Sequence, residues 1–238
     1  MTMQESLDKT EFDEFSADYD SALAHGLAVS GEDKNYFARG RIAWLANCLW
    51  QLEERPESVM DFGCGVGSAV PFILDLLAAK SILGVDISLK SLEIARRSSN
   101  SDRTQFLLFD QYQPEGRLDL AFCNGVFHHI PLDERAAKLN YIYRSLRAGG
   151  LMAFWENNPW NPGTRYVMNR ISFDRDAITL APPEARRMLR AGDFDILRTD
   201  FLFIFPRMLG WFRGVEPFLS RLPLGAQYQV LCRKPFSK

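Results

Sequence analysis

Cysteine and histidine are scarce in this sequence, and neither shows the spacing of a disulfide framework or a zinc site. The four cysteines, Cys48, Cys64, Cys123 and Cys232, form no C-x-x-C pair, which suits free thiols in a reducing compartment. The three histidines show no spacing that is typical of zinc ligands. The sequence therefore predicts neither a disulfide framework nor a metal site.

Long apolar runs and a strong excess of one charge are also missing. No run approaches the roughly 18 residues that a transmembrane helix needs, and the stretch from Met1 to Phe15 is too acidic for a signal peptide. The formal net charge is -2, without a basic stripe of the kind that binds nucleic acid. We therefore expect a cytoplasmic protein with no stable membrane insertion and no nucleic-acid partner.

Three glycines at alternate positions follow a short apolar run. Residues Ser58 to Phe62 are typical of a buried strand, and Gly63, Gly65 and Gly67 then form a tight loop before a helix begins. Glycine lets the backbone adopt a positive φ and lets a ligand approach closely. Free N–H groups at the start of the helix point to the same place. The stretch therefore predicts a cradle for a small ligand.

A second apolar run begins at Ser81 and ends in an acid, Asp86, 19 residues beyond Gly67. In a βαβ unit, an acid at this strand tip is placed to accept hydrogen bonds from ribose hydroxyls. A dinucleotide fingerprint requires a third glycine at the position that Ser68 occupies here. We therefore expect a ligand that carries a ribose but is not a dinucleotide.

The glycine loop and the acid before it resemble the first motif of the class I S-adenosylmethionine (SAM)-dependent methyltransferases. The matching residues are Asp61, Gly63, Gly65 and Gly67, and the family's ribose-binding acid corresponds to Asp86. The resemblance implies that SAM is the cofactor and that these five residues bind it. Asp61 is then expected to face the ammonium group of SAM, directly or through water. The amides of the loop are expected to bind the carboxylate of SAM.

The same resemblance implies cofactor contacts at three further positions. Asp110, after the third strand, matches the acid that receives the adenine amino group, and Asn124 follows the fourth strand at a position that contacts the cofactor. Tyr19 belongs to a leader helix in which an aromatic side chain closes over the cofactor. An exposed turn for Asp110 and the apolar face of a docking helix for Tyr19 remain open alternatives.

His128 and His129 follow the fourth strand, where open α/β sheets place their chemistry. Either histidine is a candidate general base, because imidazole titrates near neutrality. The preferred alternative is a structural role that ties this loop to the next helix, for His129 more than for His128. Cys123 is interpreted as a small buried residue rather than a nucleophile.

The loop after the fifth strand is rich in asparagine, proline and glycine, which indicates an ordered connection. It leaves the cofactor side of the sheet, so we expect it to shape the acceptor pocket. The candidate acceptor-binding residues are Asn157, Asn158, Trp160, Asn161, Arg165 and Tyr166. The alternative is a rigid connection whose asparagines bond only their own backbone.

Three other features have simpler interpretations. Arg39 and Arg41 are interpreted as solvated surface charges rather than carboxylate ligands. The aromatic-rich segment 201–219 is interpreted first as core packing, with an acceptor wall, a dimer surface or a membrane-facing patch as alternatives. The helix that begins at Asp133 is expected to end with Gly149 and Gly150 as its C-cap.

Strands and helices alternate with short connections along the middle of the chain, and two more strands follow it. We predict an α/β fold with a doubly wound, mostly parallel, seven-stranded Rossmann-like sheet. The resemblance implies that the last strand is antiparallel. Three regions are expected: 1–56, a helical segment that closes over the cofactor; 57–156, the SAM-binding core; and 157–238, the rest of the same sheet with the acceptor loop and the aromatic-rich insertion.

The sequence thus predicts an enzyme that moves the methyl group of SAM to an O, N or C atom of a small-molecule acceptor. Because the sulfonium is already activated, positioning the reactants accounts for much of the acceleration, and a base is needed only if the acceptor must lose a proton. One alternative is a SAM-binding protein without methyl transfer. A less favoured one is a nicotinamide-dependent oxidoreductase, against which Ser68 argues.

Overall fold

The computed structural model describes residues 30–170 and 178–236. In chain order its elements are α1 (Lys34–Gln51), β1 (Ser58–Phe62), α2 (Val70–Leu76), β2 (Ser81–Asp86), α3 (Leu89–Ser98), β3 (Thr104–Leu108), β4 (Leu118–Asn124), a 3-10 turn (Phe127–His129), α4 (Arg135–Ser145), β5 (Leu146–Asn157), α5 (Pro162–Met168), α6 (Pro182–Ala191), β6 (Asp195–Leu202), a 3-10 helix (Arg207–Val215), α7 (Glu216–Leu219) and β7 (Gln227–Arg233). Within the described ranges no helix is both long and apolar enough to cross a bilayer.

Among the described residues, seven strands form one sheet in the order β3-β2-β1-β4-β5-β7-β6. Strands β1 to β5 pair in parallel, whereas β7 is antiparallel to both β5 and β6. This confirms the predicted doubly wound, mostly parallel sheet with an antiparallel last strand. The strand order reverses between β1 and β4, so their carboxyl ends border the crevice where such sheets bind ligands.

Helices cover both faces of the sheet, because strands in its middle are apolar on both sides. On one face α1, α2 and α3 pack against strand side chains such as Val59 and Trp155. On the other face α4 and α6 pack against Met60 and Phe154. Each of these side chains is fully buried, and such burial stabilises the fold by about 1.5–3 kcal/mol per large apolar residue.

Strand β5 begins earlier than the sequence suggested. Helix α4 ends at Ser145, and Gly149 lies within β5 with a φ of 75° rather than after a helix. Gly149 N donates to the carbonyl of Lys234 at 3.0 Å, and Lys234 N donates to the carbonyl of Gly150 at 2.8 Å. This long-range pairing holds the segment in the sheet, so the expected C-cap at Gly149 and Gly150 is wrong.

Candidate active site

The glycine loop leaves β1 at the carboxyl edge of the sheet and is fixed against β2. Gly63, Gly65 and Gly67 have φ values of 70°, 51° and 77°, in the left-handed region that favours glycine. Gly63 N and Cys64 N both donate to the carbonyl of Val85, at 2.8 and 3.1 Å. The loop is therefore an ordered turn that is hydrogen-bonded to β2.

The three glycines differ in what surrounds them. A Cβ added at Gly63 would overlap the side chain of Val126, and one at Gly67 would lie 3.2 Å from the Cβ of Ala95. A Cβ added at Gly65 would meet nothing within 4 Å. Gly63 and Gly67 thus allow close packing within the protein, whereas Gly65 faces open space at the sheet edge.

Asp86 ends β2, and its carboxylate holds the glycine loop. Gly65 N donates to Oδ2 at 2.8 Å, and Ser88 N donates to Oδ1 at 2.9 Å. Ser88 in turn caps α3 by accepting a hydrogen bond from Ser91 N at 3.1 Å. The predicted ribose acid therefore lies directly beside Gly65, at the open part of the loop.

Asp61 is a buried carboxyl in β1 whose Oδ2 accepts no hydrogen bond from the described part of the chain. Burial and the neighbouring Asp86 carboxylate raise the pKa of Asp61 to about 7, and Arg41 opposes that rise. A buried carboxylate without donors is unfavourable, so a cationic ligand group here would be stabilising. This environment fits the ammonium group that the SAM resemblance places at Asp61.

Arg41 is half-buried, so its interpretation as a solvated surface charge is wrong. Its Nη1 donates to Gln227 Oε1 at 2.8 Å, and Gln227 Nε2 donates to Asn157 Oδ1 at 3.1 Å. Asn157 and Gln227 pair at the ends of β5 and β7, so these polar side chains link α1 to the sheet edge. The positive charge of Arg41 is thereby held close enough to Asp61 to limit the rise of the Asp61 pKa.

Glu156, near the end of β5, holds the turn that carries the two histidines. Phe127 N donates to Glu156 Oε1 at 3.0 Å, and His128 Nδ1 lies 2.5 Å from Glu156 Oε2. Glu156 and His128 are both buried, and the carbonyl of His128 accepts from Ile178 N at 3.0 Å. His129 is half-buried, with its ring centroid 4.1 Å from that of His128.

Two asparagines of the predicted acceptor loop bond the backbone. Asn158 is buried, and its Nδ2 donates to the carbonyls of Pro223 and Gly225 at 3.2 and 2.8 Å. Asn161 caps α5 and donates to the carbonyl of Leu224 at 2.7 Å. Asn158 and Asn161 are therefore held by backbone contacts, but these contacts reach residues 223–225 as well as their own loop, so the alternative in which they bond only their own backbone is wrong.

Of the other acceptor candidates, Asn157 is half-buried and accepts from Gln227 Nε2, whereas three are exposed. Trp160, Arg165 and Tyr166 all reach the surface. Tyr166 lies under the guanidinium of Arg170, which is 4.5 Å from the ring centroid. The three therefore stay predictions for an acceptor that approaches from the side of α5.

The remaining predicted cofactor residues lie around the same sheet edge. Asp110 is exposed in the turn after β3, and Asn124 is half-buried at the end of β4, where it pairs with Trp155. Tyr19 lies outside the described residues. The contacts predicted for these residues stay predictions.

Sequence reasoning missed Glu156 and Gln227 and undervalued Arg41. Glu156 carried a weak signal, since it is an acid at the end of a strand in an α/β sheet, where functional residues gather. Gln227 carried no local signal at all, because its partner Arg41 is 186 residues away in the chain.

Comparison with known proteins finds a family model that matches the central part of the chain. Residues 60–152 match a family model described as a methyltransferase domain. Trans-aconitate 2-methyltransferase from Methylobacterium nodulans is 28% identical over 202 residues, which span 75% of this chain and 76% of that protein. The enzyme of that name from Escherichia coli O7:K1 is 28% identical over 195 residues, with 76% of each chain covered.

Solved structures share the fold at lower identity. Magnesium protoporphyrin IX methyltransferase from Synechocystis PCC 6803, with bound SAH, superposes with a TM-score of 0.64 at 17% identity, over 96% of this chain and 99% of that one. The cyclase SpnF superposes with a TM-score of 0.58 at 18% identity, over 82% and 81% of the two chains. At these identities the likeness concerns the fold alone.

Proposed function

Since this chain belongs to the class I SAM-dependent methyltransferase family, we propose that it transfers the methyl group of SAM to an O, N or C atom of a small-molecule acceptor. SAM is the cofactor of this family. The two relatives named above, each matched over about three quarters of its length, are named for a small-molecule acceptor, trans-aconitate. Their names support the acceptor class and put small carboxylates first among the compounds to assay.

The observation that carries the proposal is the buried Asp61 carboxyl at an edge lined by Gly65, Asp86 and Arg41. In this assignment Asp61 receives the ammonium group of SAM and Arg41 its carboxylate. Asp86 receives the ribose hydroxyls, and Asp110 the adenine amino group. Opposite charges on the protein thus match the zwitterionic amino-acid end of the ligand.

When bound, SAM supplies a methyl group that is already activated for displacement. The protein's own contribution is to hold the acceptor atom in line with it and to receive a proton where the acceptor carries one. We assign the proton to His128 Nε2, because Glu156 occupies the Nδ1 side of the ring. A carboxylate acceptor is already ionised and needs no base.

The first test is calorimetric binding of SAM and S-adenosylhomocysteine (SAH), with NAD as the control. SAM carrying a labelled methyl group is then incubated with trans-aconitate, other small carboxylates and a filtered small-molecule extract. Label in a small product supports the proposal. Label found only in protein, binding of SAH without any transfer, or binding of NAD in place of SAM would each overturn it.

A further inference from the structure

The segment from Arg207 to Leu219, a 3-10 helix continued by α7, carries an apolar stripe on its outer side. Met208, Trp211, Val215 and Phe218 recur three, four and three positions apart along the segment, and all four are exposed. Their exposed fractions are 84%, 80%, 46% and 86%. Neither helix of the segment has a buried residue, so core packing is wrong for residues 207–219, although Phe201 and Leu202, at the start of the aromatic-rich segment, are buried. We call these four residues the outer stripe.

Charged side chains of the segment turn inward and hold it to the protein. Arg213 Nη1 lies 2.9 Å from Glu32 Oε1, and its guanidinium lies 4.6 Å from the ring centroid of Tyr36. Glu216 Oε1 accepts a hydrogen bond from Phe205 N at 2.9 Å. An ordinary surface helix shows the opposite arrangement, with its apolar face toward the core. The outer stripe thus remains exposed among the residues that the structure describes.

We propose that the outer stripe is a docking surface by which this protein binds reversibly to an anionic lipid bilayer. Tryptophan and phenylalanine favour the membrane interface, and apolar side chains on one side of a helix enter it to a shallow depth. Met208, Trp211 and Phe218 are the most exposed of the four, and each side chain is surrounded by solvent over most of its surface. Apolar surface grouped in this way marks an interaction site.

The area of the outer stripe favours a bilayer over a second copy of the chain. Phe and Trp bury roughly 150–250 Å² each; because Val215 is smaller and only half exposed, the exposed parts of the four side chains together offer on the order of 600 Å². A standard protein interface buries about 800 Å² on each partner. A lipid surface sets no such minimum, because a few inserted side chains suffice for reversible binding.

Charge at the two ends of the segment favours anionic lipid. Arg207 begins the segment and Arg221 follows it, and both are exposed. Arg221 Nη1 lies 3.4 Å from the buried Asp200, yet 60% of the Arg221 side chain stays exposed. Cations that flank an apolar stripe meet lipid phosphates when the stripe enters the interface. Leu222 and Leu224, each about half exposed, extend the apolar surface between these charges and β7.

Flotation with vesicles tests this proposal without any assay of activity. Wild-type protein is expected to float with vesicles of phosphatidylcholine and phosphatidylglycerol, and less with phosphatidylcholine alone. The double variant Trp211→Ser/Phe218→Ser should bind at least tenfold more weakly. Trp50→Ser is the matched control, since Trp50 is 77% exposed but lies 14 positions beyond Tyr36 on α1, about 21 Å along the helix.

Further experiments test the role of charge in lipid binding and the alternative that the outer stripe binds a second copy of the chain. Arg207→Gln should reduce the preference for anionic vesicles while leaving binding to phosphatidylcholine unchanged. Analytical sedimentation without lipid should give the same oligomeric state for the wild type and the double variant. The proposal is overturned if the wild type floats with neither vesicle, if the double variant, folded by circular dichroism, binds like the wild type, or if the double variant breaks up a dimer.

Discussion

His128 Nδ1 lies 2.5 Å from Glu156 Oε2, so a residue 28 positions further along the chain fixes which nitrogen of the imidazole carries the proton. The other oxygen of Glu156 accepts from Phe127 N, and an ionised carboxylate can only accept. With Glu156 ionised, His128 Nδ1 donates to it, and in the neutral imidazole Nε2 is then the nitrogen that can accept a proton. Glu156 is in this sense a positioning residue.

Glu156→Gln should reverse that tautomer while keeping the turn. The glutamine oxygen can still accept from Phe127 N, but its amide group donates to His128 Nδ1 and so moves the ring proton to Nε2. We expect nitrogen NMR of the imidazole to report this change. Stability should fall by about 2 kcal/mol, about 1 kcal/mol for each of the two hydrogen bonds that lose a charged acceptor.

Turnover in the same variant distinguishes acceptor classes. Transfer to a hydroxyl or amine acceptor should fall at least tenfold in Glu156→Gln and in His128→Ala, while transfer to a carboxylate stays near the wild-type rate. His129→Ala is the control and should leave both rates intact. An unchanged tautomer in Glu156→Gln would remove the positioning role, whatever the rates.

Gly63→Ala and Gly65→Ala form a matched pair, because both glycines have positive φ but only one is crowded. Alanine at 63 should lower stability by about 3 kcal/mol, from left-handed strain of about 1–2 kcal/mol and overlap with Val126. Alanine at 65 should cost only the strain, but its methyl group enters open space and should weaken SAH binding at least tenfold. Thermal unfolding and calorimetry separate the two effects. Equal effects of both variants on each measurement would contradict this division.

The glycine loop and Asp86 could be predicted because their signal is local. A strand, a tight glycine turn and an acid at the next strand tip are fixed by spacing within a βαβ unit, and the structure places Asp86 on Gly65 N at 2.8 Å. The alternation of strands and helices likewise predicted the parallel pairing of β1 to β5, although not the order of the strands in the sheet.

Contacts that depend on distant pairing could not be predicted. The Arg41–Gln227 hydrogen bond requires β7 to insert between β5 and β6, and the left-handed Gly149 is held by Lys234. For the outer stripe, the sequence showed many apolar and aromatic residues but not whether they face the core or the solvent. Their orientation is set by the ion pair of Arg213 with Glu32, which no local pattern records.

Asp86→Asn tests the ribose contact apart from the support that Asp86 gives to the loop. We expect SAH affinity to fall at least tenfold, about 1.4 kcal/mol. Because Asp86 also accepts from Gly65 N and Ser88 N, part of any loss could come from the loop. An SAH analogue without ribose hydroxyls removes this ambiguity.

In the wild type the analogue should bind more weakly than SAH, and in Asp86→Asn this difference should disappear. A difference that persists in the variant would show that other groups hold the ribose. Near-normal SAH affinity in Asp86→Asn would remove the assignment altogether.

The raised pKa of Asp61 predicts how stability without ligand depends on pH. In the unfolded chain this carboxyl ionises near pH 4, whereas burial and the Asp86 carboxylate raise its pKa in the folded protein to about 7. Between these values the folded state holds a proton that the unfolded state has lost. Its contribution to stability is therefore complete below about pH 4 and is lost as pH rises toward 7, by at most about 1.4 kcal/mol per unit.

Asp61→Asn isolates this effect, because the amide has nearly the same shape and does not titrate. The stability of the wild type minus that of Asp61→Asn, measured by denaturant unfolding from pH 5 to 8, should fall with pH and level off above 7. With saturating SAH the decline should flatten, since an ammonium group beside Asp61 favours the ionised carboxylate at every pH in the range. Parallel curves without ligand would show that Asp61 is already ionised in the folded protein. In that case a group other than the ammonium of the cofactor would have to stabilise the ionised Asp61 carboxylate.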